Sequence, residues 1–373
     1  MKKLLMLLLV FALSFSMLAG CTPAEEPAEE PAEEPAVEEP AEEPAEEPAE
    51  EPAEAGKIAK LGLGQNISTA KSKAKADDAN AQAQADVTIA AVGFDADGKV
   101  VSVTVDVAQT RVAFDENMAV TSDKEELVKS KKELGPDYGM VKASGIGKEW
   151  FEQMEAFEEW MIGQTVEEIK ALPVKVVDDA HQNVPDVEDL TSSVTITVES
   201  YLAAVEEAWN NAVDATGAET VGLGIETHIN KSKDATADAG AQAQVDTYMA
   251  ATAFDAEGNV VATIIDNAQV RVAYELDGSL ATDTSVAGKT KHELKEDYGM
   301  VRASAIGKEW YEQMEAFQEW MVGQTVEEIK AMPVKVVDDA HQNVPDVEDL
   351  TSSVTITVEG YIAVVEEAYE MAR

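Results

Sequence analysis

Shifting the sequence by 160 residues lays it over itself without a gap. "FDADGKVV" at 94–101 meets "FDAEGNVV" at 254–261, and "DYGMVKASGIGKEWFEQMEAFEEW" at 137–160 meets "DYGMVRASAIGKEWYEQMEAFQEW" at 297–320. Each copy has the size of one ordinary domain, and a long repeat present only twice points to tandem globular domains rather than a solenoid. The copies run over 57–213 and 217–373, joined by the polar stretch "NNAVDATGAET" at 210–220. Divergence between them is uneven. Many positions differ in the first half of each copy, but only six differ from 139 to 199, for example Phe151 against Tyr311. Any chemistry carried by that second half is therefore present twice.

Periodicity gives each copy an α+β reading, an antiparallel sheet plus helices. "DVTIAAVGFD" and "KVVSVTVDVAQTRVAF" are rich in β-branched residues and flank "DADG", a hairpin signal. A third strand is expected to begin near Thr110. The charged segment 123–134 is compatible with a helix. Trp150, Phe151, Met154, Phe157, Trp160 and Met161 recur at spacings of three and four, which predicts one apolar helix face. Thr165 followed by Glu168 has the form of a capping box. Val198, Leu202, Val205 and Trp209 continue at helical spacing after Thr195.

The N-terminus has two lysines, one short apolar run and a small-residue site, which reads as a signal peptide over 1–20 rather than a spanning helix. Leu18-Ala19-Gly20-Cys21 resembles the lipobox of bacterial lipoproteins. That resemblance implies acylation of Cys21, the chain's single cysteine, and a lipid membrane as partner. The alternative is an ordinary signal peptide with a chance cysteine. With one cysteine, no disulfide forms within the chain. The Glu/Pro/Ala-rich linker over 21–56 holds 15 glutamates and no aromatic residue. Such a segment cannot bury enough surface to fold, and its prolines favour an extended spacer with a reach on the order of 100 Å. The expected location is the outer face of the cytoplasmic membrane, extending into the cell wall. The net charge of −45 makes nucleic acid an improbable partner.

"PDVEDLTSSVTITVE" occurs identically at 185–199 and 345–359. Ser192 and Ser193 are good N-cap residues, so a helix is expected to start there. An exposed helix start favours an anion such as a phosphate, held by or esterified to a threonine beside it. The simpler reading is that Asp189, Thr191, Ser192 and Ser193 only cap the helix.

Asp189-Leu-Thr-Ser192-Ser193-Val194-Thr195 resembles the flavinylation motif of FMN-binding domains: Asp, two variable residues, Ser or Thr, Gly, Ala, then Thr or Ser. In that family a flavin transferase moves FMN from FAD onto the final hydroxyl as a phosphoester. The resemblance makes Thr195 and Thr355 the acceptors. Asp189 and Asp349 take the acidic position, and Ser192 and Ser352 the first hydroxyl position. Ser193 and Ser353 replace Gly, and Val194 and Val354 replace Ala. Anchor, stalk and paired domains together resemble the doubly flavinylated surface lipoproteins of Gram-positive flavin-based extracellular electron transfer. The family implies two covalent FMN cofactors, with a membrane NADH dehydrogenase or quinol pool as electron donor. External flavin or ferric iron would be the acceptor. It also implies an electron-transfer flavoprotein rather than an enzyme that turns over a substrate. The rival expectation is a surface binding or adhesion lipoprotein that uses its duplicated domains for avidity and carries no cofactor.

Other residues have two readings. The acidic loop 177–189 could hold a divalent cation, but lacks EF-hand spacing and reads more simply as a solvated turn. The charges of Asp186, Glu188 and Asp189 are expected to disfavour the extra negative charge of a reduced flavin. Trp150 and Trp160 read as core before they read as stacking partners, whereas Tyr138 and Met140 lie in a turn that could meet a flavin ring. No GxGxxG, P-loop or CxxCH sequence is present.

Overall fold

A computed structural model describes residues 56–373 apart from Ala180 and Ala340. The expected signal peptide, Cys21 and nearly all of the expected linker lie outside the described residues. Among the described residues the fold is mixed α+β, with antiparallel sheets and nine α-helices, none of them long and apolar enough to cross a membrane.

In the first copy β1 (Lys60–Ser68), β2 (Gln82–Phe94) and β3 (Val100–Ala113) form an antiparallel meander. Asp95 closes the β2–β3 turn, its carboxylate accepting from the N–H groups of Asp97 and Lys99 at 2.9 and 2.8 Å. Next come α1 (Lys131–Leu134), α2 (Trp150–Met161) and α3 (Val166–Lys170). A hairpin of β4 (Val174–Lys175) and β5 (Val184–Pro185) leads to the one-turn helix α4 (Glu188–Thr191) and then to α5 (Glu199–Asn210). The short β6 (Val213–Asp214) pairs with β1. The second copy repeats this as β7 (Thr220–His228), β8 (Gln242–Phe254), β9 (Val260–Ala273) and α6 (Lys291–Leu294). It continues with α7 (Trp310–Met321), α8 (Val326–Lys330), β10 (Val334–Lys335), β11 (Val344–Pro345) and α9 (Glu359–Glu370).

The capping box at Thr165 forms as its sequence predicts, and Thr325 repeats it. Two local expectations do not hold. No strand begins near Thr110, which lies inside the unbroken β3. Residues 123–130 are not helical. They run along the other copy, where the Val128 N–H donates to Thr227 O at 3.0 Å and Lys124 Nζ to Ser232 O at 2.9 Å. Within 123–134 only Lys131–Leu134 form an α-helix, capped by the Ser130–Glu133 box.

The strand β2 is buried along nearly its whole length because both faces are covered. Val87, Ile89 and Ala91 face a core shared with the second copy, which includes Val221, Leu223, Met249 and Val270. Ala90, Val92 and Phe94 face α2 and α5 of their own copy. The layers run helix, sheet, sheet, helix. The junction belongs to this core: Ala215 and Ala218 are buried, and the Ala215 N–H donates to Ala59 O at 2.9 Å.

Burial pushes Glu207 on α5 and Glu367 on α9 up to about 7. Negative charges of the other copy act in the same direction, Glu293 and Asp266 on Glu207, and Glu133 and Asp106 on Glu367. The N–H groups of Gln65 and Ile225, which donate to these carboxylates at 2.8 and 2.7 Å, pull the other way. The folded state therefore holds protons that the unfolded chain releases above its ordinary carboxyl range. This stabilisation is present below that range and is lost as the pH rises through about 7. The melting temperature is expected to fall between about pH 5 and about pH 8. The double replacement Glu207→Gln, Glu367→Gln should flatten that slope, as read by thermal unfolding at each pH.

Candidate functional site

The helix α5 begins at Glu199 with Val198 as its N-cap, five residues beyond Ser193. Ser192 is instead the C-cap of α4, and the Ser193 hydroxyl donates to Leu190 O at 3.3 Å, so neither serine caps α5. The reason is the β-branched run Val194–Val198. It crosses the space between α4 and α5 in non-helical form, burying Val194 and Val198 and leaving Thr195 half-buried between them. The expected helix N-terminus at the threonine is thus absent, and any anion there must be met by side chains.

What fixes Thr195 is a glutamine. Gln153 on α2 is fully buried, and its Oε1 accepts from the Thr195 N–H at 2.9 Å and from Thr195 Oγ1 at 3.2 Å. Its Nε2 donates to Ser144 Oγ at 3.2 Å. In the second copy Gln313 holds Thr355 at the same two distances and donates to Ser304. The sequence reading missed this pair, although glutamine on the apolar face of α2 breaks the pattern of that helix. Gln153→Leu would leave the Thr195 N–H and the Ser144 hydroxyl without this partner, and is expected to destabilise the protein by about 2 kcal/mol. Gln313→Leu should match it. Urea unfolding checks both; an unchanged midpoint would mean the glutamine does not hold the threonine.

Each threonine borders a cavity, of about 430 Å³ in the first copy and about 270 Å³ in the second. Thr195, Lys175, Val177, His181 and Met140 line the first, and Thr355, Lys335, Val337, His341 and Met300 line the second. Asp189, Ser192 and Ser193, like Asp349, Ser352 and Ser353, stand on the turn leading in and are not among the lining residues. Lys175 pairs with Asp186 at 2.8 Å and Lys335 with Asp346 at 2.9 Å. The Asp186 carboxylate is therefore partly neutralised by a cation of the cavity wall. Among the described residues no group of three acidic, histidine or cysteine side chains is placed to hold a metal ion.

In the first copy a second cleft of about 360 Å³ adjoins the cavity, and Met140, His181 and Ile196 line both. Lys131, Tyr138, Trp150 and Thr88 form its inner part. Trp150 is core, as its spacing predicts; its indole N–H donates to Tyr201 OH at 3.0 Å. Tyr138 and Met140, ambiguous in sequence, both reach the cleft. Lys131 is buried, with its ammonium 5.0 Å from the ring centres of both Tyr138 and Trp150. Burial pulls it down to about 8, against the attraction of Asp86. Among the described residues its ammonium has no ion-pair partner within bonding distance, since Asp86 is bonded to Lys71 at 3.0 Å. The Lys131 ammonium faces two aromatic rings in a cleft that Asp86 and Lys71 also line. The same cation stands in the second copy as Lys291, also lowered to about 8. Lysines and a histidine thus stand at the threonine cavity and the cleft behind it together with carboxylates: Asp178 meets His181 at 2.8 Å in the cavity wall, and Asp86 lines the cleft. The arrangement fits a group with an attached phosphate and a planar ring.

Comparison with protein-family models, curated proteins and solved structures finds no match to this chain.

Proposed function

We propose that the protein is an exported electron carrier, anchored through lipid on Cys21, with FMN esterified to Thr195 and to Thr355 in two tandem FMN-binding domains. The observation that carries the reading is the recurrence of one arrangement. Both threonines of the repeated motif are held by a buried glutamine and border a cavity with a lysine and a histidine in its wall. A solvated capping turn would need neither the cavity nor the clamp.

The modifying partner is a flavin transferase. Thr195 Oγ bonds to the flavin phosphorus of FAD and loses its proton, the diphosphate bond breaks, and AMP departs. Bound FMN supplies reversible redox chemistry, and its reduced ring is anionic near neutral pH. The protein's residues do the rest. Gln153 keeps the Thr195 backbone fixed, Lys175, which also pairs with Asp186, is the lysine of the cavity wall nearest to hand for the phosphate charge, and Lys131 offers a cation to the ring. Electrons come from a membrane NADH dehydrogenase or the quinol pool and leave to external flavin or ferric iron. Covalent attachment suits a carrier outside the cell, where a dissociating cofactor is lost.

Acid precipitation tests the reading against adhesion. Protein produced together with a flavin transferase should keep its yellow colour in the washed precipitate. A colourless precipitate would favour the surface-binding alternative.

A further inference from the structure

The two copies are nearly identical around their threonines but differ deeper in. Thr88 on β2, buried in the wall of the first cleft, is Tyr248 in the second copy. Its cross-strand neighbour Val107 is Asn267. Ser200, another cleft residue, is Gly360. These changes fit one another. The Tyr248 ring lies edge-on to Tyr361, 5.1 Å between centres, where Tyr361 corresponds to the cleft residue Tyr201. A Cβ at Gly360 would come within 3.2 Å of that ring. Glycine makes room for the phenol, and the phenol stands in the space that the first copy leaves open.

We propose that the inner cleft is a ring-binding subsite in the first copy alone, taking a planar heteroaromatic ring of the isoalloxazine class beside Lys131, and that Tyr248 closes it in the second. The proposal deepens the flavin reading and rests on it for its role in the cell. A ring carried by Thr195 can enter a pocket walled by Tyr138 and Trp150, where Gln109 and Thr88 supply polar groups. A ring carried by Thr355 stays in the outer cavity, nearer to solvent. The two carriers are then unequal: the first is shielded, and the second is open to an external acceptor.

Lumiflavin, which has the ring but no phosphate, tests this on full-length protein carrying no covalent flavin. Titration followed by ring fluorescence and by calorimetry should give one site per chain. Thr88→Tyr with Ser200→Gly should leave none, and Tyr248→Thr with Gly360→Ser should give two. The gain of a site guards against a loss caused by misfolding. Two sites or none in the parent protein, or a stoichiometry unmoved by the Tyr248 exchange, would overturn the proposal. Because lumiflavin cannot be esterified, one site in a protein that never acquires covalent FMN would sink the carrier reading and leave the subsite standing.

Discussion

Gly64→Val is expected to lower the melting temperature by roughly 6 °C, corresponding to a loss of about 4 kcal/mol. Gly62 and Gly64 on β1 lie directly under α5. A Cβ at Gly64 would stand 2.0 Å from Ala204 O, and one at Gly62 2.1 Å from Ala208 O. These are backbone atoms of a helix already in its seat, so no side-chain rotation relieves the clash. Gly222 and Gly224 repeat the arrangement under α9, at 1.7 and 1.9 Å from Ala368 O and Val364 O. The seat matters for the site because α5 carries Tyr201 to Trp150, and the chain entering α5 carries Thr195. A control lies in the same copy. Gly145 has nothing within 4 Å of a built Cβ, and its counterpart is Ala305, so Gly145→Ala should melt with the parent protein. If Gly64→Val melted with it too, α5 would not rest on the glycines.

The parts of this fold written into local sequence were legible. The spacing of Trp150, Met154, Phe157 and Met161 gave α2 and its buried face, and Thr165 with Glu168 gave the start of α3. What depended on distant residues was not. Alternation in β2 shows that a face is buried but not what covers it, and here the cover is the other copy's sheet. Residues 123–130 have helical composition, yet their hydrogen bonds are taken by the second copy. Ser192 and Ser193 read as caps because they precede an apolar run. That run, Val194–Val198, is β-branched at every position, which weakens a helix start and defers it to Glu199. The motif pointed to Thr195 and Thr355, and both border cavities. The inner cleft joins Thr88, Lys131, Trp150 and Tyr201, which no local pattern connects; only the sheet and the seating of α5 bring them together.

Replacing the two threonines is expected to abolish covalent flavin, one group per residue. Thr195 is favoured over its neighbours by its surroundings. Both Thr191 and Thr195 border the cavity, but the Thr191 hydroxyl donates to Glu188 O at 3.1 Å on an exposed turn, whereas Thr195 alone of the two is held by the buried Gln153, whose Oε1 accepts from its N–H and its hydroxyl. Esterification removes the proton of that hydrogen bond, a loss of about 1 kcal/mol. The bond from the Thr195 N–H to the same oxygen remains and keeps the residue in place. The most direct measurement is the intact mass of the full-length protein produced together with a flavin transferase. The account predicts two added groups, each the mass of FMN less one water. Thr195→Ala and Thr355→Ala should carry one each, and the double variant none. An unmodified parent protein, or a double variant that still carries the label, would contradict it.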